Sequence, residues 1–312
     1  MRTPIRKFAA ILALVLATNI GVVSAASMEK IRHLFLLASA GDIRLQKKAK
    51  IAQKKLGKCG EDAVPFLISQ LKRKNIRKVL TAERALRAIG EDAVPYLIMA
   101  LADTNKTVAS LSARILGQIG DKRALPALMV AARYGFPGLR ASACYALGNF
   151  QDSAVVSVLI DALKDTVPAV RRYAALSLMK LGTRRAIKPL FELLADSSYG
   201  VRYTAERALA KIDTDTLFAL ALARLDSAQP PEKYHIISLI GAVRSDSALA
   251  VIGKLLQDQN YFVRGFACEA LGYFRGNWRA ANMLKRALWD NSEFVRMKAR
   301  SALEKMKQYS LR

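Results

Sequence analysis

The chain has 312 residues, of which 52% are apolar, and it carries a formal net charge of +25. Its length leaves room for two domains, whereas its three cysteines exclude the disulfide framework that many exported domains use. The large positive charge favours anionic partners, because it attracts them from a distance.

Residues 1–26 have the pattern of a secretory signal peptide. Three basic residues precede the ten-residue apolar run "FAAILALVLA", and small residues follow it in "TNIGVVSAAS". The run is shorter than the roughly 20 apolar residues that a membrane-spanning helix needs. We therefore predict cleavage after Ala25 or Ala26 and export to the bacterial periplasm or the medium. An uncleaved N-terminal anchor is the alternative.

The remaining chain, residues 27–312, repeats itself. The string "GEDAVPFLISQL" begins at Gly60, and "GEDAVPYLIMAL" begins thirty residues later at Gly90. A second string, such as "VRRYAALSLMKLG", recurs at a similar spacing. We call the first residue of each copy its register residue. The nine register residues follow one another at intervals of 30 to 32 residues: Lys48, Lys78, Val108, Leu139, Val170, Val201, Glu232, Val263 and Val295. A fixed period of this length is typical of solenoid repeats.

Each period contains two amphipathic helices. Counted from the register residue, apolar residues at offsets 0, 4, 7, 8 and 11 share one side of a helix, which we name helix B. The opening string forms helix A, with an aspartate as its cap (Asp62, Asp92) and a proline in its first turn (Pro65, Pro95, Pro126, Pro189). Neither helix can bury its apolar stripe alone, but stacked helix pairs bury their stripes in one continuous core. We therefore predict an all-α fold, an α-solenoid of about nine two-helix repeats.

The B strings resemble the HEAT repeat, specifically the short repeats of the phycobilisome-lyase (PBS lyase) HEAT-like family. The resemblance covers residues from about 28 to 308 and rests on strings such as "DTVPAVRRYAALSL". It implies an armadillo-like, right-handed superhelix in which an Asp and an Arg of each repeat form a hydrogen-bonded ladder between repeats. That role would fall to Asp165, Asp196, Asp258 and Asp290 and to Arg171, Arg202, Arg264 and Arg296. The ladder is expected from Arg140 onward, because earlier repeats lack the "VR" pair.

Glycine at offset +9 of helix B indicates that neighbouring repeats approach closely. A mid-helix glycine costs about 1 kcal/mol relative to alanine, yet five repeats carry it, at Gly57, Gly117, Gly148, Gly241 and Gly272. The last repeat has Glu304 there, as expected if no further repeat packs on it. Cys144 and Cys268 share one helix B offset and are predicted to be buried free thiols, and Cys59 is predicted to be a free thiol in a turn.

The first helix B is densely basic. Its predicted core is Ile51, Ala52 and Leu56, and around that core lie Lys47, Lys48, Lys50, Lys54, Lys55 and Lys58. Between Ser27 and Leu80 the chain carries fourteen Lys and Arg against four Asp and Glu. Capping the end of a solenoid requires fewer charges, so we predict an anion-facing patch. A solvated cap without a partner is the alternative.

The B helices are expected to line the inner wall of the solenoid, with offsets +2, +3 and +6 facing this groove or its rim. These offsets hold Arg84, Arg114, Tyr145, Arg172, Tyr173, Tyr203, Arg207, Tyr234, His235 and Phe266. Arginine supplies fork-shaped donors for anions, and rings supply rigid apolar plates. We predict binding of another protein, expected to be acidic. Two alternatives are that the rings only cover neighbouring helices, or that the surface binds an anionic polymer, such as nucleic acid or an envelope glycan or lipid.

The sequence offers little for catalysis. His33 and His235 are the only histidines, and both are expected to be packing or surface residues. We find no Cys/His set with metal spacing, no glycine-rich phosphate loop and no Ser-His-Asp set. The His-Glu pairs that hold iron in HEAT-repeat deoxyhypusine hydroxylases are missing. Bilin lyases act on cytoplasmic proteins, and the predicted export of this chain contradicts that activity. We therefore predict a monomeric, non-catalytic binding scaffold with no metal and no cofactor.

Overall fold

The computed structural model describes residues 23–212 and 214–307, and within these ranges it contains helices and no strand. The helices alternate between the two predicted kinds and form nine pairs there. The A helices are α1 (Ala25–Ala38), α3 (Val64–Gln70), α5 (Val94–Ala100), α7 (Leu125–Tyr134), α9 (Ala154–Ala162), α11 (Ile187–Glu192), α13 (Thr214–Leu225), α15 (Asp246–Leu255) and α17 (Trp278–Ala287). The B helices are α2 (Gln46–Gly57), α4 (Ile76–Ile89), α6 (Lys106–Ile119), α8 (Pro137–Leu147), α10 (Pro168–Leu181), α12 (Tyr199–Ile212), α14 (Glu232–Val243), α16 (Tyr261–Leu271) and α18 (Glu293–Lys307). The predicted all-α class is confirmed.

Each B helix contains its predicted register residue, and most begin two residues before it. Asparagine side chains cap several of these starts. Asn75 accepts a hydrogen bond from the backbone N–H of Lys78 at 3.2 Å, and Asn260 accepts one from the N–H of Phe262 at 2.9 Å. Such caps satisfy backbone donors that have no partner within the first helical turn. The caps therefore help to fix where each B helix starts.

The A helices begin differently from the prediction. Pro65 lies in the first turn of α3, as expected. Asp62, however, lies inside a short 3-10 turn, Gly60–Ala63, which leads directly into the helix. The backbone N–H of Val64 already donates to the Glu61 carbonyl, and no side chain caps α3. The predicted capping role of this aspartate is wrong, and the same arrangement recurs thirty residues later.

Neighbouring B helices approach closely at their glycines. A Cβ atom added to Gly117 would lie 2.5 Å from the Cα of Ala146, and one added to Gly148 would lie 2.3 Å from the Oγ of Ser177. Both distances are shorter than van der Waals contact, so α6, α8 and α10 require glycine to stack at this separation. The close approach predicted from the glycines at offset +9 is confirmed. Glu304 occupies this offset in α18, after which the described residues contain no further helix.

Arginine and aspartate side chains link consecutive repeats. Arg140, at the start of α8, donates to both carboxylate oxygens of Asp165 at 2.7 and 2.8 Å. Arg264 donates to both oxygens of Asp290 at 2.8 and 2.9 Å, and also to the backbone carbonyl of Asp258 at 2.9 Å. Each guanidinium group therefore ties the loop before one B helix to the loop before the next. The same bond to the repeat's own backbone is made by Arg171, Arg202 and Arg296.

The described residues pack as two units, one ending at Leu181 and the other beginning at Gly182. In both units the core is built by the predicted apolar stripe of helix B. The leucines at offset +8 are almost completely buried at Leu86, Leu116, Leu147, Leu178, Leu209 and Leu271. Cys144 and Cys268 are buried free thiols, as predicted, and loss of solvent raises the pKa of each to about 12. The partly buried Cys59 is also free.

The Asp–Arg ladder is interrupted in the second unit. Ser227 stands where other repeats carry the aspartate, and the buried Nε of Arg202 has no hydrogen-bond partner among the described residues. Glu232, the first residue of α14, accepts a hydrogen bond from Arg224 at 2.9 Å instead. Because Glu232 is almost fully buried, this pair secures α13 against α14 where the ladder is broken.

Most of the predicted signal peptide, residues 1–22, lies outside the described residues. Helix α1 begins at Ala25, and the hydroxyl of Ser24 accepts a hydrogen bond from the backbone N–H of Ser27 at 3.2 Å. The predicted cleavage positions, after Ala25 or Ala26, therefore lie in the first turn of α1. Within the described residues, no helix is both long enough and apolar enough to cross a membrane.

Candidate functional site

The first two predicted binding residues lie at the same offset of consecutive B helices. Arg84 in α4 and Arg114 in α6 are both exposed. Neither is paired with an acid or a ring among the described residues. A shared offset places both guanidinium groups at the same angle around their helices. These two arginines are therefore open to an anionic group from outside.

Further along the first unit, the predicted residues contact one another. Tyr145 of α8 and Tyr173 of α10 meet edge to face, with their ring centroids 5.7 Å apart. The Nζ of Lys180 lies 4.5 Å from the Tyr145 centroid and donates to the side chain of Asn149 at 3.0 Å. Arg172 lies over Tyr173 at 5.9 Å. Two tyrosines, each accompanied by a cation, thus connect α8 with α10.

In the second unit, a row of rings begins on α12. Tyr199 and Tyr203 stack with their centroids 6.0 Å apart, and they are 65% and 46% exposed. Arg207 lies over Tyr203 at 5.7 Å, and the His235 ring of α14 lies 6.4 Å from that of Tyr199. Residues four apart share one face of a helix, so the two tyrosines and Arg207 form a single stripe. The structure thus groups the predicted residues Tyr203, Arg207 and His235.

The largest group of rings lies on α14, α16 and α18, and we call it the aromatic cluster: Tyr234, Tyr261, Phe262, Phe266 and Phe294. Tyr234 stacks on Phe266 at 4.5 Å, and Phe262 meets Phe294 edge on at 5.2 Å. Tyr261 and Phe262 are nevertheless 43% and 38% exposed. Contiguous apolar surface of this kind commonly marks an interaction site. The ring contacts also fix the orientation of the exposed plates.

A cation borders the aromatic cluster. The Nζ of Lys298 in α18 lies 5.2 Å from the Phe266 centroid and 5.6 Å from the Phe294 centroid. The same ammonium group forms an ion pair with Glu269 of α16. Both partners are partly buried, so this pair is less screened by solvent than a fully exposed one. It joins α16 to α18 directly behind the rings.

A polar network connects two B helices of the second unit with the turn that follows a third. Glu206 of α12 accepts a hydrogen bond from the Ser238 hydroxyl at 2.5 Å, and its other oxygen lies 2.6 Å from the Nδ1 of His235. The Ser238 hydroxyl also lies 3.2 Å from that of Tyr273, whose pKa is raised mainly by burial. Serine and histidine both bond the carboxylate, whereas an activated serine needs the histidine at its own hydroxyl. The network therefore orients His235 and holds α12 and α14 in register, and Tyr273 joins it from the turn after α16.

The sequence-based prediction missed several rings because it considered only offsets +2, +3 and +6. Tyr199, Phe262 and Phe294 lie at offsets −2 and −1, in the first turn of their helices. Phe262 precedes Phe266 by four residues, and Tyr199 precedes Tyr203 by four, so each pair shares one helix face. The spacing of these aromatic pairs was the signal that could have identified them.

The six lysines at the first helix B are all exposed, and we call them the lysine patch: Lys47, Lys48, Lys50, Lys54, Lys55 and Lys58. Ala52 and Leu56 are buried as predicted. Ile51 was predicted to belong to the core, and this is wrong, because it is 55% exposed. It lies about 100° around the helix from Ala52 and so points away from the buried stripe.

The sequence profile of HEAT repeats matches residues 94–178, 130–210 and 218–304, which is more than half of the chain. The chain belongs to the HEAT-repeat family. HEAT repeats are generally scaffolds for protein–protein interaction and are generally not catalytic. The helix pairs described above are therefore HEAT repeats, and their fold is that of an α-solenoid.

Several solved structures resemble this HEAT chain. YibA from E. coli aligns with a TM-score of 0.54 and 22% identity, over 82% of this chain and 95% of its own. The complex of CpcE and CpcF of phycocyanin lyase from Nostoc sp. aligns with a TM-score of 0.44 and 29% identity, over 47% of this chain and 97% of that one. An archaeal HEAT-like repeats protein from Thermococcus onnurineus aligns with a TM-score of 0.43 and 21% identity, over 64% and 93%. No curated protein matches. The likeness to YibA shows the fold alone.

Metal-binding side chains do not converge in the part of the HEAT chain that the structure describes, where no group of three or more His, Cys, Asp or Glu could hold an ion. His33 is exposed. The sequence showed no His-Glu pair, but folding creates one in space, between His235 and Glu206 of adjacent repeats. Two ligand groups with a serine are fewer than a protein metal site normally supplies.

Proposed function

We propose that this HEAT-repeat chain is a non-catalytic scaffold that binds another protein through the rings and cations of its B helices. The observation that carries the proposal is the aromatic cluster, in which Tyr261 and Phe262 remain 43% and 38% exposed while contacting other rings. Buried aromatic residues supply much of the binding energy at protein interfaces. Because ring contacts already hold the cluster, a partner would spend less free energy on ordering it.

The proposed partner is acidic. From residue 27 onward the chain carries a net charge of +22, and Arg84, Arg114, Arg172 and Arg207 are exposed on the B helices. Opposite charges accelerate association more than they strengthen the final complex. Within the second unit, acidic side chains of the partner would pair with Arg207, and its apolar side chains would pack on the rings.

An anionic polymer, either nucleic acid or an envelope glycan or lipid, is the second candidate for the B-helix surface. The exposed Arg84 and Arg114 favour it, because neither already has an acidic partner. In the second unit, however, Arg207 lies over Tyr203 and Lys298 pairs with Glu269. Cations that already contact a ring or an acid are better placed to support apolar contacts than to bind the phosphates of a polymer. They therefore favour a protein partner.

Site-specific photo-crosslinking tests the proposed function. A photoreactive phenylalanine replaces Tyr203, which is 46% exposed on a B helix, or Tyr134, which is 58% exposed on an A helix. We expect a protein to crosslink from position 203 and not from position 134. With the purified partner, Tyr203→Ala and Phe262→Ala should each weaken binding by about tenfold or more. Tyr134→Ala should have no effect.

The salt dependence of that complex separates the two candidates. A protein interface built on rings should keep most of its affinity as salt rises, whereas a polymer held by its charge should lose affinity steeply. Crosslinking to nucleic acid or glycan, with a steep salt dependence, would replace the protein-binding proposal with the polymer one. Equal crosslinking from positions 203 and 134 would contradict both.

We also propose that the protein is exported and acts as a monomer. The support for export is the apolar run of residues 8–17 with basic residues before it and small residues after it. N-terminal sequencing of native protein should find Ala26 or Ser27 first. A Met1 start in the cytosol would contradict export, and a Met1 start in the membrane fraction would indicate the uncleaved anchor. Light scattering of the purified protein should give the mass of one chain.

A further inference from the structure

Three aliphatic side chains are exposed in the first helix pair, which also carries the lysine patch. Leu36, near the end of α1, is 58% exposed; Ile43, between α1 and α2, is 85% exposed; and Ile51, in the middle of α2, is 55% exposed. The proposed protein-binding surface uses none of them. Each leaves apolar area in water in the part of the chain with the highest density of positive charge.

Ile51 lies at the centre of the charges. On the helix surface its neighbours are the residues three and four positions away, and all four are lysines: Lys47, Lys48, Lys54 and Lys55. Helix α2 contains no acidic residue. The nearest preceding acid, Asp42, is engaged by Arg44 at 2.7 Å. Ile51 is therefore an aliphatic side chain surrounded by unneutralised ammonium groups.

Among the residues that the structure describes, α2 packs against another B helix on one side only. A Cβ atom added to Gly57 would lie 2.6 Å from the Cβ of Ala88 in α4, so α4 covers that side. Within residues 23–212 and 214–307 no B helix precedes α2, and its opposite side has no equivalent neighbour. The lysine patch and Ile51 therefore remain accessible when the repeats are stacked.

We propose that the lysine patch, together with Ile51 at its centre, docks on an anionic lipid surface. A polybasic helix face is attracted to anionic headgroups, and aliphatic side chains among the charges enter the boundary between headgroups and acyl chains. Long lysine stems follow this geometry, because they lie along apolar surface while the ammonium groups stay at the headgroups.

The residue types favour lipid over the other anionic partners. A nucleic-acid surface would combine its charge with rings on which bases stack, and α2 contains no aromatic residue. It also contains no arginine, the residue best suited to grip a fixed phosphate or carboxylate with two bonds. Protein interfaces are depleted in lysine. Strongly hydrated point charges around an aliphatic side chain suit a fluid surface of many equivalent anions.

The test measures binding of the full chain to vesicles of phosphatidylcholine alone and of equal parts phosphatidylcholine and phosphatidylglycerol. The apolar run of residues 8–17 is present in every sample, so its contribution cancels between variants. One variant carries Lys47→Gln, Lys50→Gln, Lys54→Gln and Lys55→Gln. Its control loses the same charge at exposed lysines elsewhere, by Lys122→Gln, Lys164→Gln, Lys188→Gln and Lys285→Gln.

A second comparison isolates the aliphatic contribution. Ile51→Ser is matched by Met297→Ser, because the two side chains are 55% and 54% exposed. Depth is read by attaching an environment-sensitive nitrobenzoxadiazole probe to Ile51→Cys in a Cys59→Ser background. Cys144 and Cys268 stay unlabelled in the folded protein because they are buried. Far-UV circular dichroism confirms that each variant keeps its helices.

We expect the parent chain to prefer the anionic vesicles. The patch variant should bind them several-hundred-fold more weakly, since it loses four lysines and each contributes roughly fivefold near such a surface. Ile51→Ser should bind several-fold more weakly, both controls should match the parent, and the probe should shift to the blue. Equal losses in the patch variant and its lysine control would overturn the proposal. So would an Ile51→Ser variant that binds like Met297→Ser together with an unshifted probe, because the patch would then be a purely electrostatic site for another polyanion.

Discussion

Helices α6 and α8 meet at Gly117, and we expect Gly117→Ala to destabilise the protein although alanine is the better helix former. The new Cβ would lie 2.5 Å from the Cα of Ala146, 2.6 Å from its Cβ and 3.0 Å from its carbonyl oxygen. Two of these three are backbone atoms, so no side-chain rotation relieves the overlap. One helix must shift against the other, and overpacking of this kind costs roughly 1–3 kcal/mol.

Gly253 provides a matched control in α15. A Cβ atom there would meet only the Cε of Met283 at 3.2 Å and its Sδ at 3.4 Å. These atoms form the end of a flexible side chain that can rotate away. Gly253→Ala should therefore gain the helix preference of alanine and stabilise the fold by about 0.5–1 kcal/mol. At Gly117 the same gain opposes the overlap, which leaves a net loss of up to about 2 kcal/mol.

Urea unfolding followed by far-UV circular dichroism measures both changes. The midpoint should fall for Gly117→Ala and rise for Gly253→Ala, with similar slopes if the denatured states are alike. Adding Ala146→Gly to Gly117→Ala removes the facing methyl group and should recover part of the loss. A Gly117→Ala protein that unfolds at the same urea concentration as Gly253→Ala, or a higher one, would refute the argument from close approach.

Two further predictions concern titratable groups. Cys144 and Cys268 should react with a thiol reagent only after unfolding, because burial raises the pKa of each to about 12, whereas the less buried Cys59 should react first in the folded protein. Mass spectrometry of the labelled chain counts the modified sites, and early labelling of either buried thiol would contradict their placement. The pKa of Asp290 lies below its ordinary value, mainly because Arg264 donates to it, so this pair stabilises the fold above the ordinary pKa and is lost as pH falls through the folded-state pKa. Asp290→Asn should therefore cost about 1–3 kcal/mol at neutral pH and flatten the acid limb of the stability curve, and an unchanged acid limb in thermal melts would count against the pair.

The helix pairs could be predicted because their determinants are local and repeated. Each register residue, such as Val170, has apolar partners at fixed offsets. Several B helices are preceded by an asparagine, as α4 is by Asn75. Gly117 revealed a contact between repeats because only the smallest residue permits it. The errors at Asp62 and Ile51 arose where sequence pattern and geometry diverge. At Asp62, a 3-10 turn removes the need for a side-chain cap on the helix. Ile51 is exposed because it lies one position before the buried Ala52, and this step turns it away from the core.

The candidate site was only partly predictable, because its contacts join different repeats. Offsets identified Tyr234 and Phe266 as members of one face, but their stacking at 4.5 Å depends on how far α16 is rotated and shifted against α14. The repeat period does not specify that relation. Glu206 illustrates the same limit, since its hydrogen bonds to His235 and Ser238 cross from α12 to α14 and leave no trace in either helix alone.

The two proposed surfaces divide the positive charge of this HEAT chain between two kinds of recognition. Around Ile51 the charges are hydrated ammonium groups on long stems, which adapt to a fluid surface of equivalent anions. In the aromatic cluster the rings are fixed by their own contacts, and Lys298 is tied to Glu269, which suits a partner of defined shape. The surfaces share no residue, so a change in one should leave binding at the other intact. A scaffold with both would hold its protein partner at an anionic membrane, with the lysine patch governing encounter with lipid and the cluster governing residence of the partner.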